Sequence, residues 1–117
     1  MKVAIIVLAD TKTEENLARV VNAMMAVKEF QEADDEVKLI FDGSGTRWIK
    51  ELSNDEHQYH ALFEKIKHNV TGACGYCAKA FKVNDDINAH HFHLIDEYEG
   101  HPSFRRLLKE GFEVLIF

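Results

Sequence analysis

Two rhythms of apolar residues alternate along the chain. The first segment, "VAIIVLA" (3–9), is a continuous apolar run rich in β-branched residues, which predicts a strand covered on both faces, as in a parallel sheet. Thr11 stands three residues before Glu14, the spacing of a capping box, and so marks the opening of a helix. Within it Leu17, Val20, Val21, Met24, Val27 and Phe30 recur at i, i+3, i+4 and i+7, one buried stripe, and the acidic "EADDE" ends it.

"VKLIFDG" (37–43) reads as a second strand stopped by a glycine turn, followed by a short helix in "TRWIKEL" that offers Trp48, Ile49 and Leu52 for burial. A polar stretch intervenes. "YHALFEKIK" (59–67) restores helical spacing, and "NVTGA" (69–73) suits a third, short buried strand. "CGYCAKAF" predicts a helix from Cys74 or just after it, with Ala78 and Phe81 inward. "HFHLI" (91–95) reads as a fourth strand, "PSFRRLLKEG" as a helix with Pro102 early and Gly111 at its end, and "FEVLIF" as the last strand.

Strands alternating with helices predict an α/β fold: one domain over 1–117, a three-layer sandwich with a mainly parallel five-stranded sheet. No internal repeat or low-complexity tract breaks it. In such sheets ligands bind beyond the carboxyl ends of the strands. Asp10, "DGSGT" (42–46) and "CGYC" (74–77) fall at such ends, after the first, second and third strands.

Composition narrows the function classes. A chain of 117 residues, 46% hydrophobic and 29% charged, can bury a core without disulfides or a structural metal. A net charge of −6 with no Lys/Arg cluster argues against a general affinity for nucleic acid or an anionic membrane. Asp10 interrupts the first apolar run before a signal peptide could be completed, and no stretch approaches the roughly 20 apolar residues of a membrane span. The expectation is a cytoplasmic protein in a reducing compartment, with free thiols and no cofactor.

The two cysteines of the chain, Cys74 and Cys77, stand three apart. Sulfur at a helix start meets unsatisfied N–H groups and the helix dipole, which favour thiolate, the reacting form, so Cys74 is expected exposed and largely ionised. Gly72 and Gly75 flank it with little bulk, and Asp10, Asp42, Gly43 and Tyr76 complete a candidate pocket. Cys77, one helical turn on, lies in range for disulfide formation or sulfur transfer and is assigned the assisting role. The alternative is that both are small residues packed in a core.

Together "FDGSGTRWI", "GACGYCAKAF" and "YEGHPSFRRLLKEGFEVLIF" resemble the DsrE family of small proteins, with its TusD-like and YchN-like relatives, over nearly the whole chain. The resemblance implies a compact α/β fold of about five strands and assembly into homotrimers or homohexamers. In the sulfur-relay members it also implies a cysteine that carries a persulfide between donor and acceptor proteins, a position matched here by Cys74. Lys82 stands where the family pattern has glycine, followed by Val83.

Rival constellations are weaker. Cys74 and Cys77 with His90, His91 and His93 suggest zinc, but His90 and His93 have two residues between them rather than three to five, and on a strand His91 and His93 face opposite His90. "DGSGT" lacks both phosphate-loop patterns, and the one proline, Pro102, is not placed as a thioredoxin-like oxidoreductase requires. His101, in "GHPS", is expected at the surface or a subunit boundary. The leading reading is a sulfur-relay carrier; a non-catalytic oligomeric binding or assembly protein, or a thiol redox or metal-binding protein, stays open beside it.

Overall fold

Why the five apolar runs become one sheet is visible in the computed structural model, which describes residues 1–117. β1 (Lys2–Val7), β2 (Glu36–Phe41), β3 (Val70–Cys74), β4 (Leu94–Ile95) and β5 (Glu113–Ile116) lie in the order β4-β3-β2-β1-β5, every neighbouring pair parallel. The two central strands, β1 and β2, pair residue for residue from Lys2–Glu36 to Val7–Phe41. Around the sheet run α1 (Glu14–Glu32), α2 (Trp48–Ser53), α3 (His60–Ile66), α4 (Gly75–Ala80), α5 (Asn84–Ala89) and α6 (Phe104–Lys109).

Strand side chains alternate between faces, so the continuous apolar runs supply two cores. Val3, Ile5, Val7, Leu39 and Phe41 point to one face, where Val20, Met24 and Val27 of α1, Trp48 and Leu52 of α2, Phe63 and Ile66 of α3, Ala78 of α4 and Ile87 of α5 cover them. Ala4, Ile6, Ile40 and Ile95 point to the other, covered by Leu107 of α6 and Phe112. The sandwich therefore has three layers of unequal thickness. None of its helices is long and apolar enough to cross a membrane.

Several boundaries move. Thr13, not Thr11, caps α1: it is the extended residue just before the first helical one (φ −129°, ψ 161°), and its Oγ accepts the Asn16 N–H at 3.1 Å. The Thr11 hydroxyl turns instead to the Asp10 carboxylate. β4 is two residues long rather than 91–95, because His91 takes a left-handed φ of +64° that breaks an extended run. α5 occupies the polar stretch before it, which carries a single fully buried apolar residue, Ile87, and so shows no periodicity. Ser103 caps α6 by accepting the Arg106 N–H at 3.1 Å, which leaves Pro102 outside the helix.

Candidate functional site

Because β1, β2 and β3 are adjacent and parallel, the residues that follow them emerge at one end of the sheet. Asp42 follows β2 and is held there by its own N–H, which donates to the Val7 carbonyl at 2.9 Å. Cys74 is the last residue of β3 and the cap of α4, its Sγ accepting the Cys77 N–H at 3.3 Å. The fourth strand contributes too: after β4 the chain turns back at Tyr98–His101 and brings the His101 imidazole to Cys74, with Nδ1 3.3 Å from Sγ.

Four groups thereby converge. Ligand-type atoms of Asp42, Cys74, Cys77 and His101 all lie within 4.8 Å of one another. The Cys77 thiol is 3.5 Å from the Asp42 carboxylate, which also accepts the Gly43 N–H at 2.7 Å. Tyr76 pins the returning loop: its N–H donates to the Gly100 carbonyl at 2.9 Å, and its ring lies against the His101 ring at 4.7 Å. Gly100 has a φ of +87°, and a side chain there would press on Tyr76, so glycine permits both the turn and the contact.

The thiol of Cys74 is fully buried, contrary to the exposed, ionised sulfur expected from the sequence. Burial pushes its pKa up to about 12, with the nearby Asp42 charge and Cys77 acting in the same direction and the Cys77 N–H opposing them. The reason is magnitude. A helix dipole contributes ~0.3–1 kcal/mol, less than the roughly 1.4 kcal/mol of one pH unit. It does not offset the loss of water around a thiolate at the end of an interior strand. Cys77 is half-buried, and both cysteines are free. Solvent reaches the cluster through a cleft of about 670 Å³ walled by Asp42, His101 and the segment Pro102–Arg105, with Tyr98 at its side.

Of the other predicted pocket residues, Asp10 lies outside the cluster. Its carboxylate accepts the Thr11 N–H at 2.7 Å and an Arg47 N–H at 2.9 Å, contacts that hold its pKa below the usual carboxylate range. Gly43 opens a 3₁₀ turn (Gly43–Arg47) at φ +55°. Gly72 serves sheet packing: a Cβ would stand 2.4 Å from the His93 carbonyl oxygen. Gly75 starts α4 against the Ile95 carbonyl. His90, His91 and His93 are not in the cluster. His101 is the residue that sequence reasoning missed as part of the site. The signal was present, since His101 follows the fourth strand as Asp10, Asp42 and Cys74 follow the first three.

The model of the DsrE/DsrF-like family matches residues 1–117. The chain is similar to the uncharacterized protein MJ0733 of Methanocaldococcus jannaschii, with 29% identity over 116 residues covering 98% of this chain and 94% of the relative. Two solved structures share its fold. They are BT1422 from Bacteroides thetaiotaomicron, a conserved protein of unknown function (TM-score 0.63, 18% identity, 97% of this chain and 94% of that one), and the ychN protein from E. coli (TM-score 0.61, 16% identity, all of both chains).

Proposed function

The chain belongs to the DsrE/DsrF-like family, and on that premise we propose that it is a cytoplasmic sulfur-relay carrier working through a persulfide on Cys74. The observation that carries the reading is the meeting of Cys74, Cys77 and His101 at the carboxyl ends of the strands, beside a cleft. In the resting protein the Cys74 thiol keeps its proton. When a donor persulfide docks, the proton passes to His101 Nδ1, 3.3 Å away, and the thiolate attacks the outer sulfur of the donor. The donor S–S bond breaks, the donor thiolate leaves, and Cys74 carries –S–SH. An acceptor thiolate then takes the outer sulfur and restores Cys74. Alternatively Cys77 attacks the Cys74 sulfur, expels hydrosulfide and leaves a Cys74–Cys77 disulfide, which an external thiol reductant reopens.

Assembly into a homotrimer or homohexamer belongs to the same proposal. β5 is an edge strand with Leu115 and Ile116 exposed, an open row of backbone groups beside apolar side chains. Mass spectrometry after incubation with a persulfide donor tests the carrier. The expected result is an adduct of about 32 Da on Cys74, absent from Cys74→Ser. No adduct on Cys74 while a control carrier is modified would overturn it. The burial of Cys74 favours a second reading, a binding or assembly protein whose thiols pack; for that protein the sulfur stays unmodified until the chain unfolds.

A further inference from the structure

We propose that Asp42, Cys74, Cys77 and His101 form a binding site for one thiophilic divalent transition-metal ion, zinc in the first instance. Two thiolates, an imidazole and a carboxylate are a donor set that zinc takes in four-coordinate tetrahedral form. With Zn–S near 2.3 Å and Zn–N and Zn–O near 2.0–2.2 Å, neighbouring donor atoms of such a tetrahedron stand about 3.3–3.8 Å apart. Here Cys74 Sγ is 3.3 Å from His101 Nδ1 and Cys77 Sγ is 3.5 Å from Asp42 Oδ1, and all four groups fit within 4.8 Å. The set needs little rearrangement to close on an ion.

A second observation comes from charge. Asp42 is buried, 7% exposed, yet no Lys, Arg or His lies within ion-pairing distance of its carboxylate. Buried carboxylates are ordinarily paired or metal-bound. Around Asp42 are two thiols, whose protons a cation displaces, and an imidazole, which binds a cation through a ring-nitrogen lone pair. The scaffold is also preorganised: the cysteines are fixed by β3 and α4, Asp42 by its N–H bond to Val7, and the imidazole by the Tyr76 ring. Asp42 and His101 face the cleft, which supplies an entry path.

Loading exchanges the two thiol protons for one ion, and nothing is oxidised. The site does not depend on the sulfur-carrier reading. If both hold, the ion occupies the sulfur lone pairs that uptake requires, so the loaded protein is the closed form of the carrier.

The test is titration of the reduced, chelator-treated full chain with Co²⁺ and then Zn²⁺. One equivalent of Co²⁺ should produce sulfur-to-cobalt charge-transfer absorption with the visible bands of a tetrahedral ion, and Zn²⁺ should bleach them. Cys77→Ser and His101→Ala, both at half-buried positions, should weaken binding at least about tenfold. Asp42→Asn should do the same if it folds. Absent thiolate absorption in the folded wild type, or equal binding by folded Cys77→Ser, overturns the site. The same metal-free sample, tested for persulfide uptake, separates the two claims: uptake without cobalt binding sinks the metal alone, and cobalt binding without uptake sinks the carrier alone.

Discussion

At Cys74 two effects of one position compete, capping of α4 and removal from water, and removal from water prevails. In metal-free protein the iodoacetamide labelling rate of this thiol should therefore be low near neutral pH. It should climb about tenfold per pH unit past 9, where an ordinary thiol levels off, as read by peptide mass. A plateau below that range would show that the sulfur is ionised after all. The linkage to stability has the matching sign. Since the folded pKa, about 12, exceeds the ordinary 9.0, the protonated thiol contributes stability that is complete below about pH 9 and lost toward 12. Cys74→Ala should flatten that alkaline loss. Gly72 makes a second residue-level point: Gly72→Ala would drive a Cβ into the His93 carbonyl at a φ of +153° and should cost at least about 2 kcal/mol in urea unfolding.

Among the elements, the capping of α1 gives a comparison within one loop. Thr13→Ala removes the acceptor for the Asn16 N–H and should cost about 1 kcal/mol, whereas Thr11→Ala should stay within about 0.5 kcal/mol, both by equilibrium unfolding. The same contrast explains what the sequence disclosed. The strands β1 and β2 and the stripe of α1 were legible because burial imposes a period on apolar residues. The exact cap was not, because Thr11 and Thr13 both precede an acidic or polar residue at suitable spacing and backbone angle decides between them. α5 was not, because one inward residue makes no period. The cysteine pair was legible in position, at the end of β3 and the start of α4, from the small residues around it. Its burial was not, since that depends on α4 and on the Tyr98–His101 turn closing over the sulfur from 26 and 27 residues away.

For the whole molecule, the order β4-β3-β2-β1-β5 leaves β5 at one edge of the sheet. The β5 edge, with Ile116 58% exposed, is the face expected to bury on assembly. If the proposed assembly forms, Ile116→Lys should shift the sedimenting species toward monomer without lowering the unfolding midpoint of the monomer; an unchanged oligomer would place the contact elsewhere, and a monomeric wild type would overturn the assembly. The fold came through at this scale because topology follows from the alternation of strands and helices along the entire chain, and the family through the resemblance of three segments spread along it.

The unequal layers carry a kinetic consequence. Phe112, clasped by the ammonium groups of Lys2 and Lys38, and Leu107 are the main anchors of the last strand and its helix on the thinner side. Amide hydrogens from Arg105 to Ile116, with the β1 amides that bond to β5, should thus exchange with deuterium through a partial opening that leaves the β1–β2 ladder protected. The carboxyl-terminal hairpin of helix and strand would peel away as a unit, lifting with it the wall of the cleft beside His101.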